Sequence, residues 1–167
     1  MGVDITGDSV FYKVCLQFQV YCSRCNNYTR QTVISGTLST SKKTIMVHVT
    51  VIEDDAAILE AMSMIFTPPD FKLTTYSNGD LIIKGDYVRP DIFLIDKLLP
   101  GIDGLDICEM LKRQEQTKDI PVVILSASPN VANLARLAGA DGFVEKPFWL
   151  EVLRDAVNKA LSKRKIS

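Results

Sequence analysis

From residue 46 onward, short and largely apolar runs alternate with amphipathic stretches of helical period. The runs near 47–52, 71–76, 91–96, 121–126 and 142–145 read as parallel strands crossed over by helices. Between the first two, Ile58, Leu59, Met62, Ile65 and Phe66 recur at helical spacing until Pro68-Pro69 stops the helix. Ser77-Asn78-Gly79-Asp80 makes a turn into a short helix over about 80–86, with Gly85 near its end. Leu105, Cys108 and Leu111 mark the buried face of a helix over roughly 104–116. Another, roughly 129–138, finishes at Gly139, placed as a C′ glycine should be. Leu150, Leu153, Val157, Ala160 and Leu161 line one face of a last helix near 149–162. Five strands alternating with five helices predict an α/β fold, a doubly wound five-stranded parallel sheet with helices on both faces.

The first 45 residues have a different character. Val10, Tyr12, Val14, Leu16, Phe18, Val20 and Cys22 alternate as a strand would, but nothing obvious in the same segment pairs with them. Residues 29–45 are rich in Ser and Thr and read as a flexible linker. Met46 stands immediately before the first core strand, so residues 1–45 read as an N-terminal extension, either disordered or upstream of the true start. The folded domain is expected over 46–162, followed by a short basic tail, 163–167, which suits a solvated helix end.

Charge and cysteine content narrow the classes. Residues 1–45 hold five Lys/Arg against two Asp/Glu, whereas residues 46–167 hold fourteen against eighteen. An acidic body argues against the broad basic face of a nucleic-acid binder. No apolar stretch is long enough to span a bilayer, and the first residues lack the basic start of a secretory signal. A cytoplasmic, reducing location is the default. Cys22-Ser23-Arg24-Cys25 has the spacing of half a zinc site, but only Cys15 lies nearby and the lone histidine, His48, falls in a predicted strand. Reduced thiols are the better reading, and Cys108 reads as core packing.

The candidate chemistry sits where the apolar runs stop. Val51-Ile52 leads into Glu53-Asp54-Asp55, Ile92-Phe93-Leu94-Ile95 into Asp96, and Gly142-Phe143-Val144-Glu145 into Lys146-Pro147. In open α/β sheets ligands bind outside the carboxyl ends of the strands, at the point where the winding reverses. Strands one and three are expected to be neighbours there, which sets Glu53, Asp54 and Asp96 side by side. Clustered carboxylates repel unless a cation holds them, and Mg²⁺ prefers such oxygen ligands. Lys146 could meet developing phosphoryl charge, and Ser126, ending strand four, could donate a hydroxyl hydrogen bond. Asp55 alone is better read as a helix cap. Capping accounts for neither Asp96 nor Lys146.

These motifs together resemble the receiver domain of two-component response regulators. The resemblance spans residues 46 to about 162. It rests on Val51-Ile52-Glu53-Asp54-Asp55, on Arg89 to Gly104 around Asp96, on Pro121-Val122-Val123-Ile124-Leu125-Ser126-Ala127, and on Gly139 to Phe148 around Lys146-Pro147. It implies the flavodoxin-like strand order 2-1-3-4-5. It also implies that Asp96 is the phospho-acceptor, drawing on a histidine kinase or a histidine phosphotransfer protein. Asp54 would ligate Mg²⁺ directly, or Mn²⁺ in its place. Glu53 would act through metal-bound water, and the backbone carbonyl of Leu98 would complete the protein ligands. Lys146 would pair with carboxylate and phosphoryl oxygens ahead of a cis proline bond. Ser126 and Phe143 would form the switch, remodelling the face of helix four, strand five and helix five.

Several details depart from the family's common pattern. Glu53 replaces the more frequent Asp, and the segment between Ser126 and Gly139 is short, so helix four is expected to be truncated. Leu98 and Ser128 line the path of attacking water, and an apolar Leu98 orients that water poorly, which predicts a long-lived phosphoryl group. The leading expectation is a stand-alone receiver that signals through protein contacts, a phosphorylation-dependent dimer included, or through a phosphorelay. It would be no enzyme beyond its own phosphoryl transfer and hydrolysis, with no direct contact to nucleic acid or membrane. The alternative is a pseudo-receiver, an interaction module working without phosphorylation. An aspartate-nucleophile phosphatase is disfavoured because Asp96-Lys97-Leu98 lacks a second acid.

Overall fold

The computed structural model describes residues 46–164. The alternation over 10–22, the three cysteines Cys15, Cys22 and Cys25, the linker at 29–45 and residues 165–167 lie outside the described residues. The elements run β1 (Val47–Ile52), α1 (Ala56–Ile65), β2 (Phe71–Tyr76), α2 (Asp80–Lys84), β3 (Ile92–Asp96), a two-stranded miniature of β4 (Leu98–Leu99) and β5 (Ile102–Asp103), α3 (Gly104–Arg113), β6 (Val122–Ser126), α4 (Val131–Leu137), β7 (Gly142–Glu145) and α5 (Leu150–Arg164). The five-stranded sheet has the order β2-β1-β3-β6-β7 and all its pairs are parallel. Counting only these strands, that is the expected 2-1-3-4-5.

The sheet separates two apolar layers. Because successive strand residues point to opposite faces, Val49, Val51, Leu94, Val123, Leu125 and Val144 pack with Met62, Ile65 and Phe66 of α1 and Leu153, Val157 and Ala160 of α5. On the other face Ile52, Phe93, Ile95, Val122 and Ile124 meet Ile107, Cys108 and Leu111 of α3, Ile82 of α2, and Val131 and Ala135 of α4. Strands β3 and β6 are buried along their whole length, which is why they read as near-continuous apolar runs.

Helix boundaries differ from the sequence reading for local reasons. α2 stops at Lys84 because Gly85 takes a left-handed φ of 73° and returns its N–H to the Ile82 and Leu81 carbonyls. α3 ends at Arg113, three residues before the expected end, where Gln114 is extended and the buried Thr117 hydroxyl donates to the Leu111 carbonyl at 2.6 Å. α4 spans seven residues and starts at Val131, two residues late. α5 runs on to Arg164, and the Lys163 ammonium donates to the Asp141 carbonyl at 3.0 Å. Among the described residues no helix is long and apolar enough to cross a membrane.

Candidate phosphoryl-acceptor site

Strand register assembles the site. Ile52 lies opposite Ile95, so Glu53 and Asp54 leave β1 level with Asp96 at the end of β3. Asp96 is opposite Leu125, which brings Ser126 one step beyond it. Ser126 is in turn opposite Glu145, and the Lys146 N–H donates to the Ser126 carbonyl at 2.8 Å. Parallel strands thus deliver four chemically distinct ends to one edge of the sheet. Asp55 plays the separate part expected of it: its Oδ1 accepts from the Ala57 and Ile58 N–H groups at 2.8 and 3.3 Å and caps α1.

The geometry is that of a cation-binding knot. Each of Glu53, Asp54 and Asp96 offers a carboxylate oxygen, all within 4.8 Å of one another. Glu53 and Asp96 are 1% and 7% exposed, whereas Asp54 faces solvent. The Lys146 ammonium bridges the two buried acids, at 2.6 Å from Glu53 Oε2 and 3.1 Å from Asp96 Oδ1. Burial pushes the Glu53 carboxyl above its ordinary range, against the opposing pull of the Lys146 hydrogen bond and charge. The like charges repel, most directly between the two buried acids Glu53 and Asp96. One ammonium against three carboxylates leaves two negative charges, which a single divalent cation balances. An all-oxygen donor set of this size suits a hard cation that keeps several waters. The carboxylate cluster is therefore positioned to chelate a divalent cation.

The remaining predicted residues surround this knot. Ser126 is 3% exposed, and its Oγ accepts from the Ser128 N–H at 3.2 Å. Leu98, in β4, pairs antiparallel with Asp103 and is 67% exposed. Phe143 in β7 is half-buried and packs against the apolar layer beneath α3 and α4. Lys146-Pro147 is cis, as the resemblance implied, and Pro68-Pro69 is also cis. The Lys146 ammonium meets carboxylates as expected, Glu53 more closely than Asp96, whereas the Lys97–Asp103 ion pair at 2.8 Å is one that sequence reasoning missed. That pair closes a two-residue antiparallel ladder, too short for a period to show in the sequence.

A doubly wound sheet with an acidic triad, a lysine and a hydroxyl at its carboxyl edge is the arrangement that the receiver-domain resemblance implies. The family model of the response regulator receiver domain matches residues 49–158, and the chain belongs to that family. Among curated relatives, the DNA-binding dual master transcriptional regulator RpaA of Synechocystis is 32% identical over 122 residues, covering 70% of this chain and 49% of its own. The transcriptional regulatory protein CseB of Streptomyces coelicolor is 38% identical over 104 residues, covering 60% of this chain and 43% of its own. This chain thus spans about half the length of the curated relatives it matches. The receiver domain of a signal transduction histidine kinase from Syntrophus aciditrophicus superposes with a TM-score of 0.63 at 28% identity, covering 70% of this chain and 91% of that one.

Proposed function

We propose that this receiver accepts a phosphoryl group on Asp96 from a histidine kinase or a histidine phosphotransfer protein. One observation carries the reading: three carboxylates gather within 4.8 Å at the sheet's carboxyl edge, and a single lysine spans Glu53 and Asp96. In the proposed step an Asp96 carboxylate oxygen attacks phosphorus, the phosphorus–nitrogen bond of the donor breaks, and the imidazole leaves. The Lys146 ammonium, already on Asp96 Oδ1, orients that carboxylate and lies ready for the phosphoryl oxygens. Asp54, Glu53 through water, Asp96 and the Leu98 carbonyl are the proposed holders of Mg²⁺ or Mn²⁺. The chemistry of the bound ion is to neutralise the carboxylates and the transferred group.

Output follows from a two-state element biased by new charge-assisted contacts. Ser126 turns its hydroxyl toward the phosphoryl group and draws the β6–α4 loop inward, and Phe143 moves with it. Leu134 and Leu137 on α4 and Val152 on α5 are exposed apolar side chains, which supports protein contacts or a phosphorylation-dependent dimer as the readout. The test is labelling by acetyl phosphate, read by intact mass with and without Mg²⁺. One phosphoryl adduct is expected with Mg²⁺, and none in Asp96→Asn. Magnesium binding without any adduct would instead favour the pseudo-receiver.

A further inference from the structure

We propose that Lys97 and Asp103 are positioning residues that clamp the loop carrying the Leu98 carbonyl beside the acidic knot. The inference rests on the proposed function, because it concerns the same cation site. Residues 97–104 form a closed unit. Leu98 pairs with Asp103 and Leu99 with Ile102 across a turn at Pro100-Gly101, where Gly101 takes a φ of 81°. The base of the unit is shut twice. The Gly104 N–H donates to the Lys97 carbonyl at 2.9 Å, and the Lys97 ammonium meets Asp103 Oδ2 at 2.8 Å. Asp103 is engaged on its other oxygen too, since Oδ1 accepts from the Leu105 N–H at 3.0 Å and caps α3. Its carboxylate therefore ties the start of the loop to the first turn of a packed helix. On the other side the Lys97 N–H donates to the Leu125 carbonyl at 2.8 Å, fixing the backbone between Asp96 and Leu98 to the sheet.

A two-residue antiparallel pair is too short to hold its own geometry in water. The ion pair supplies the missing restraint. It also silences a charge. Lys97 follows Asp96 directly, and a free ammonium there would compete with a divalent cation for the carboxylates. Paired with Asp103, it is neutralised without touching the site.

Charge and geometry make opposite forecasts for Lys97→Met. Removing a cation beside an acidic site strengthens metal binding if only Coulomb forces matter. Removing a clamp weakens it. The side chains of Lys97 and Asp103 are 23% and 35% exposed. The expected effect is therefore about two- to fivefold weaker Mg²⁺ binding, the range a partly exposed ion pair supplies. Binding is read by titrating Mg²⁺ against Trp149 fluorescence and by calorimetry on the whole chain. Lys97→Arg, which keeps the pair, should restore wild-type affinity. Hydrogen exchange in metal-free protein provides a readout independent of the ion. The amides of residues 98–103 should exchange faster in Lys97→Met, with α1 and α5 unchanged. Affinity that is unchanged or tighter in Lys97→Met would overturn the clamp, as would unaltered exchange in that segment. Failure of the wild-type protein to bind Mg²⁺ would overturn the cation site itself, leaving the exchange result to judge the clamp.

Discussion

Replacing Gly104 with Ala should damage the acceptor strand from the back. A Cβ at this position would sit 2.0 Å from the backbone oxygen of Asp96, 2.9 Å from its carbonyl carbon and 3.0 Å from Ile95 Cγ2. Two of these neighbours are backbone atoms of a fully buried strand, so no flexible side chain can yield. Restoring ordinary contact requires α3 and β3 to part by more than about 1 Å, and overpacking of that kind costs about 1–3 kcal/mol. The upper end, about 3 kcal/mol, is expected because the obstacle is main chain. Gly101→Ala is the natural comparison. Its φ is 81° but nothing lies within 4 Å of the added carbon, so only left-handed strain applies, about 1 kcal/mol. Urea unfolding followed by circular dichroism gives both values from midpoints at a shared slope. The folded fraction of Gly104→Ala should also bind Mg²⁺ more weakly, because Asp96 moves with its carbonyl. Equal destabilisation by the two substitutions would refute the close-approach argument.

Adjacent aspartates should separate cleanly: Asp55→Ala should cost about 1 kcal/mol through the lost cap of α1 and still label with acetyl phosphate, whereas Asp54→Ala should lose Mg²⁺ binding without that stability cost. Lys146→Met should abolish labelling while leaving far-UV circular dichroism unchanged, and labelling at the wild-type rate would remove Lys146 from the mechanism. Burial pushes the Cys108 thiol up to about 11 from 9.0, so peptide mapping after alkylation at pH 8 should find Cys108 unmodified until the protein unfolds. Because the folded value is the higher one, this stabilisation is intact below pH 9 and is lost as pH rises toward 11. A Cys108→Ala variant should show a shallower loss of stability over that window. Leu98 cannot hydrogen-bond an attacking water, so the aspartyl phosphate should outlast rapid labelling, and Leu98→Asn should shorten its life. Phosphate release complete within seconds in the wild-type protein would count against that role.

The parts of the fold legible in the sequence were those whose physics is local. Ile92 to Ile95 and Val122 to Leu125 are buried on both faces, so their pattern is continuous and their ends are marked by the first polar residue, Asp96 or Ser126. The acidic knot was legible because a parallel sheet collects those ends on one edge. What escaped depends on contacts between distant residues or on elements too short to show a period. The β4–β5 pair has two residues per strand, too few for alternation to register. The Lys112 ammonium reaches Asp141 at 2.7 Å and the Ile120 carbonyl at 2.8 Å, joining α3 to the β6–β7 side. No spacing rule links those positions. The early end of α3 goes with one buried hydroxyl, that of Thr117, whose bond to the Leu111 carbonyl leaves no mark on the helical period.

The most direct test of the central claim is a structure of the whole chain with Mg²⁺ and beryllofluoride. The account predicts a metal held by Asp54, Asp96 and the Leu98 carbonyl, and a fluoride complex bonded to Asp96 with Lys146 and Ser126 on its fluorines. A folded protein binding neither ion nor fluoride at this edge of the sheet would contradict it.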